Sequence, residues 1–133
     1  MTHNLQIEVT NETPRIDFNI ETGILEISGV SISHQSDLFF QPINEWIANY
    51  IEIAKPVTQL IIKLDFFNIS SSKHLLDILY KLKSLQNKGL IVAVEWHYIN
   101  TEDDMLELGQ DYEMMVRLPF KYVGHKLIEG PVC

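Results

Sequence analysis

Alternation of apolar and polar positions marks Leu5-Gln6-Ile7-Glu8-Val9 and Ile16-Asp17-Phe18-Asn19-Ile20 as half-buried strands, with Ile24-Leu25-Glu26-Ile27-Ser28-Gly29 as a third. Thr22-Gly23 supplies a tight turn between the last two. Connections this short make the opening an antiparallel meander, because parallel pairing needs a long crossover. The period then changes. Phe39, Phe40, Ile43, Trp46, Ile47, Tyr50 and Ile51 recur at three- and four-residue spacings and predict a helix. Proline is comfortable in a first turn and costly in the interior, so Pro42 places the start of the regular helix close to Phe40. Lys55-Pro56 ends it.

Leu60-Ile61-Ile62 and Leu90-Ile91-Val92-Ala93-Val94 are apolar on consecutive positions, the pattern of strands covered on both faces. Between them Leu75, Ile78, Leu79, Leu82 and Leu85 form one helical face, with Asp77 and Lys81 spaced for an ion pair on the exposed side and Asn87-Lys88-Gly89 as the stop. A third helix is expected to open at Thr101, where the hydroxyl and the Asp104 carboxylate fit a capping box, and to continue through Met105, Leu108, Tyr112, Met115 and Val116. Gly109 argues against an unbroken helix, since glycine costs about 1 kcal/mol there relative to alanine. Leu118-Pro119 closes the helix and Phe120-Lys121-Tyr122-Val123 reads as a last short strand. The order is three strands, then helix, strand, helix, strand, helix and strand. It predicts a single α/β domain over residues 1–133, a mixed sheet with helical crossovers, a core from about residue 5 to 127 and a tail, 129–133, that frays.

Composition narrows the function. The chain has 133 residues, enough for one core without a disulfide or structural metal. Its one cysteine, Cys133, excludes an internal disulfide framework and a multi-cysteine metal site, and a reducing compartment follows. Met1-Thr2-His3-Asn4 has neither the basic start nor the apolar run of a signal peptide, and no segment is long and apolar enough to span a membrane, so a soluble cytoplasmic protein is expected. Ten basic against eighteen acidic residues leave a net charge of −8, which repels nucleic-acid phosphates.

Catalytic motifs are thin. His3, His34, His74, His97 and His125 never fall at close ligand spacing and read as scattered surface residues. Phosphate-loop, dinucleotide and nucleophile-elbow patterns are missing, and no cofactor is expected. Asp65, Glu95, Asp103 and Asp104 could converge on a divalent cation, but Glu102, Asp103 and Asp104 also suit the positive end of a helix. Trp46, Met105, Tyr112 and Met115 belong to the apolar stripes, whereas Trp96-His97-Tyr98, at a strand end, offers an exposed ring to a partner.

The densest signal is a junction. Strand-like Leu60 to Phe66 runs through Asn68-Ile69-Ser70-Ser71-Ser72-Lys73 into helix-like His74 to Leu85. Three hydroxyls stand where a helix begins, and its first-turn amides lack intrahelical partners. Such a spot suits a capping serine, an anion or a phosphorylated side chain.

The run from Leu64 through Asp65, Phe66, Phe67, Asn68, Ile69, Ser70, Ser71, Ser72 and Lys73 to Leu79 resembles the signature of the SiaC family of bacterial regulatory phosphoproteins. Phe39 to Trp46, Trp96-His97-Tyr98 with Glu102 to Glu107, and Leu118-Pro119-Phe120 resemble further family segments in the same order. The resemblance implies a fold similar to the STAS domains of anti-sigma-factor antagonists and a non-catalytic, partner-switching role. It implies that a kinase phosphorylates a hydroxyl at the helix start, that a PP2C-type phosphatase removes the phosphate, and that the unphosphorylated form binds an effector, a diguanylate cyclase. Asp65, Asn68, Ile69, Ser70, Ser71, Ser72 and Lys73 are the implied contact residues. Two departures stand out. Ile69 occupies the position of the family's phosphorylated Thr, and Ser31-Ile32-Ser33-His34 replaces a Ser-Tyr-Pro-Glu stretch. Either Ser70 or Ser71 has become the acceptor, or the chain is a constitutive binding module fixed in its partner-competent state.

Overall fold

The computed structural model describes residues 3–101 and 103–126. The expected fraying of 129–133, the place of Cys133 and the share of Glu102 in the acidic cluster lie outside them. Strands β1 (Leu5–Ile7), β2 (Arg15–Asn19) and β3 (Ile24–Ser31) form the antiparallel meander, with Leu5 opposite Phe18 and Ile16 opposite Ile27. The turn into β3 depends on Gly23, whose φ is +72° and where a Cβ would stand 2.5 Å from the Val57 carbonyl oxygen. After it come α1 (Ser36–Ile53), β4 (Val57–Phe67), α2 (Ile69–Asn87), β5 (Ile91–Ile99), α3 (Asp103–Val116) and β6 (Phe120–His125). The six strands lie in chain order, β3 to β6 all parallel.

That order decides the layering. Each crossover steps one strand in the same direction, and right-handed crossovers therefore put all three helices on one face. The burial pattern agrees. Ile16, Phe18, Leu25, Ile27, Leu60, Ile62, Val92, Val94 and Trp96 are buried under the helices, which contribute Ile43, Ile47, Leu75, Leu79 and Leu82. The alternate residues face away. There Arg15 pairs with Asp17 at 3.1 Å and Glu26 at 3.0 Å, and Lys63 reaches Glu26 at 3.4 Å. The expectation of strands covered on both faces is thus corrected: Ile61 and Ala93 are half-buried among polar neighbours of an open face, not beneath a second layer.

Other boundaries move for physical reasons. Helix α1 starts at Ser36, so Pro42 lies inside it rather than in its first turn. Pro42 is exposed, so the Leu38 carbonyl it leaves unpaired faces water, and the burial of Phe40, Ile43 and Trp46 on the opposite side offsets the interior proline. Helix α3 begins at Asp103, not Thr101, and runs unbroken through Gly109. The glycine is a packing requirement: a Cβ there would lie 2.8 Å from Trp96 Nε1. Trp96 is fully buried, its indole N–H donating to the Met105 carbonyl at 3.0 Å, so it is a core residue and not an exposed anchor. Met115 is exposed, off the buried stripe that keeps Tyr112 and Val116. The Asp77–Lys81 ion pair forms at 3.0 Å as expected.

Candidate functional site

The C-terminal ends of β3, β4 and β5 and the first turns of α1, α2 and α3 meet at one pole of the sheet. A register shift between Gly29 and Val30 sets it up: Gly29 stands opposite Leu64 but Val30 opposite Phe66, which makes Asp65 an extra residue in β4. Past the bulge Phe66 is 65% exposed while Phe67 packs on the core.

Asn68, not a serine, caps α2. Its backbone is extended, and its Oδ1 accepts the Ser71 N–H at 2.8 Å. Its Nδ2 donates to the Ser33 carbonyl at 3.1 Å, and its own N–H to the Ser31 carbonyl at 3.0 Å. The stretch after β3 is therefore fastened to the start of α2. With the cap supplied by Asn68, the three serine hydroxyls take separate roles. Ser71 is fully buried; its hydroxyl donates to the Ser31 carbonyl at 2.9 Å and lies 2.7 Å from Ser31 Oγ. Ser72 donates to the Ile69 carbonyl at 2.7 Å. Ser70 is half-buried and hydrogen-bonded to the hydroxyl of Ser36, the first residue of α1.

Ile69 is 78% exposed. With Phe66, Ile32 and Leu38 it gives this pole four exposed apolar side chains drawn from four consecutive segments. Asp65 and Lys73 are exposed beside them. The first turn of α2 holds no acidic residue, whereas α1 has Asp37 and α3 has Asp103 and Asp104 in theirs. The positive end of α2 thus has no carboxylate of its own to offset it.

Sequence reading proposes Asp65 to Lys73 as the contact segment but does not anticipate that Ser31, Ser36, Asp37 and His74 hold it in place. His74 Nε2 lies 2.6 Å from Asp37 Oδ1, and its ring stacks on Phe40 with centroids 4.7 Å apart and planes 10° from parallel. Tyr112, whose hydroxyl burial pushes above its ordinary range, donates to the Ser72 carbonyl at 3.0 Å and ties α3 to the same turn.

The histidines are not all scattered over the surface. On the open face His97 is buried, 2.6 Å from Glu95 through Nε2 and 2.6 Å from His125 Nε2 through Nδ1. Burial holds it below its ordinary value, outweighing the hydrogen bond that its Nε2 donates to Glu95. Glu95 also accepts from Gln59 at 2.9 Å, so its carboxylate is engaged within the sheet. Among the described residues no group of three or more His, Cys, Asp or Glu side chains is arranged to hold a metal ion, and no helix is long and apolar enough to cross a membrane.

An uncharacterised protein of Pseudomonas aeruginosa strain UCBPP-PA14 is 27% identical over 122 residues, covering 92% of this chain and 97% of that one. The structure of SiaC of Pseudomonas aeruginosa matches with a TM-score of 0.83 at 27% identity, over 92% of this chain and 98% of the other. So does SiaC in the crystal structure of the diguanylate cyclase SiaD with its activator SiaC, with a TM-score of 0.85, 27% identity and coverage of 91% and 99%. The profile of the SiaC family regulatory phosphoproteins matches residues 7–125. With its sheet, its helices and nearly its whole described length matched, the chain belongs to the SiaC family, a family of regulatory proteins rather than enzymes.

Proposed function

We propose that this protein is a partner-switching regulator that binds an effector, a diguanylate cyclase, when unphosphorylated and releases it when Ser70 carries phosphate. The reading rests on one observation above all: Ser70, only partly buried and with its hydroxyl bonded, among the described residues, to that of Ser36 alone, stands in the acid-free first turn of α2, flanked by exposed Phe66 and Ile69. A phosphate brings roughly −1.5 to −2 charges, which this helix end accepts but an apolar interface over Ile69 and Phe66 does not. Ser71, the other candidate, would have to leave a closed, buried hydrogen-bond pair with Ser31 before a kinase could reach it. In the reaction Ser70 Oγ takes the γ-phosphoryl group of ATP, its proton passes to a base of the kinase and ADP leaves; a PP2C-type phosphatase adds water and returns serine and inorganic phosphate. Asp65, Asn68, Ile69, Ser72 and Lys73 complete the contact surface. That SiaC of Pseudomonas aeruginosa is an activator of the diguanylate cyclase SiaD supports the choice of effector class.

A second reading has its own support. Ile69 stands at the position that the family resemblance assigns to the acceptor and is 78% exposed, the highest among the large apolar side chains of the described residues, as an anchor in a constitutive binding module would be. Incubation with ATP and the cognate kinase, followed by fragmentation mass spectrometry across Asp65 to Lys73, separates the two. One phosphate on Ser70 supports the switch. No phosphate, from a kinase that modifies a family member carrying the usual Thr, supports the constitutive binder.

A further inference from the structure

Two side-chain rungs join the first turn of α1 to the first two turns of α2. One is the hydroxyl pair of Ser36 and Ser70; the other is His74 against Asp37 at 2.6 Å. Ser70 and His74 are four residues apart on α2, hence neighbours on one helical face, so the rungs lie side by side. The imidazole is mostly buried and held flat on Phe40, whereas the Asp37 carboxylate is almost fully exposed. Directly after Asp37 comes Leu38, 64% exposed and one of the four apolar residues of this pole.

Resting on the reading that Ser70 is the acceptor, we infer that His74 is the relay that carries the modification from α2 to α1, exchanging the Asp37 carboxylate for the phosphate and releasing the first turn of α1. The physical reason is competition. A phosphoryl group on Ser70 removes the hydroxyl proton that can serve the Ser36 rung and sets a near-dianion beside a monoanion, both drawn to one imidazole N–H. The phosphate carries more charge and more acceptor oxygens, and charge-assisted hydrogen bonds strengthen with both. His74 stays in place because Phe40 fixes its ring; Asp37, held by that contact and open to water, is the partner that moves. Leu38 moves with it, so one modification alters two of the segments that make up the apolar surface. Lys73, also within a turn of Ser70, is exposed and takes no part in joining the helices.

The test uses the full chain with phosphoserine installed at position 70 by genetic code expansion, which needs no kinase. Hydrogen exchange of the Phe39 and Phe40 amides, the first of α1 to close on the helix start, with Phe39 N–H donating to the Gln35 carbonyl at 3.1 Å, is compared with that of β4 as an internal reference. Exchange in the first turn of α1 is expected to rise about tenfold on phosphorylation, the order set by losing one charge-assisted hydrogen bond. The rise is expected to fall below about threefold in His74→Gln and to persist in Lys73→Gln. No rise in the phosphorylated parent, or a full rise in His74→Gln, or its loss in Lys73→Gln, overturns the relay. Failure of every kinase to modify Ser70 overturns the switch instead, and leaves this measurement untouched.

Discussion

Asn68→Ala removes two side-chain hydrogen bonds at the start of α2 while leaving the backbone bonds from Asn68 N–H to Ser31 and from Ser72 N–H to Asn68 in place. Loss of the cap on the Ser71 N–H at 2.8 Å costs about 1 kcal/mol. Loss of the Nδ2 donor to Ser33 at 3.1 Å adds about 0.5–1.5 kcal/mol. The sum is about 2 kcal/mol, which for a domain of this size lowers Tm by roughly 8 °C. Asn68→Asp keeps the cap oxygen and adds a charge suited to the helix end, but turns a carboxylate toward the Ser33 carbonyl; it should lose less than about half as much. Urea unfolding followed by the fluorescence of buried Trp46 and Trp96 reads both variants, at unchanged m-value. Asn68→Ala within about 0.5 kcal/mol of the parent, or Asn68→Asp falling as far as the alanine variant, would refute the capping argument.

Three other outcomes follow from the same geometry. Gly109→Ala should destabilise by about 1–2 kcal/mol in urea despite alanine's better helix propensity, because Trp96 is held by Met105 and cannot give way; a stabilised variant would contradict the contact. His97, faced by Glu95, Lys63 and His125, is held below its ordinary value of 6.5 chiefly by burial. The unfolded chain therefore takes the proton first, so this contribution to stability is complete above about pH 6.5 and is lost as pH falls below it through the folded value. Unfolding free energy measured from pH 7.5 downward should decline more steeply in the parent than in His97→Gln, and equal slopes would count against it. Phe66→Ser and Ile69→Ser, on exposed positions, should leave stability within about 0.5 kcal/mol yet weaken effector binding about tenfold or more in a titration; undiminished binding would move the interface elsewhere.

Much of the fold was legible because period and side chain agree. Strict alternation in β2, the alternation from Leu25 to Ser28 in β3, and the five-residue face Leu75, Ile78, Leu79, Leu82 and Leu85, all buried, left little choice of element or of inward face. What the chain hid depends on contacts between distant segments. Leu60-Ile61-Ile62 reads as two-sided because Ile61 is apolar, yet it lies on the open face of β4; only the strand order makes the sheet one-sided. Gly109 reads as a helix breaker until Trp96 is seen against it. Pro42 mispositions the start of α1, because its solvent-facing side tolerates an unpaired carbonyl. At the site, the serine run was visible but its division of labour was not. Which of Ser70 and Ser71 is the more accessible depends on Ser31, which stands forty residues away in sequence and closes a buried pair with Ser71.

The central claim is that phosphate on Ser70 decides whether the partner binds. Calorimetric titration of the cognate diguanylate cyclase into the unmodified chain, and into the chain carrying installed phosphoserine at position 70, tests it most directly. The account predicts saturable binding by the unmodified protein and affinity lower by about a hundredfold or more in the phosphorylated one, the scale of a charge forced into an apolar interface. Equal affinities would contradict it and leave a constitutive binder anchored by Ile69.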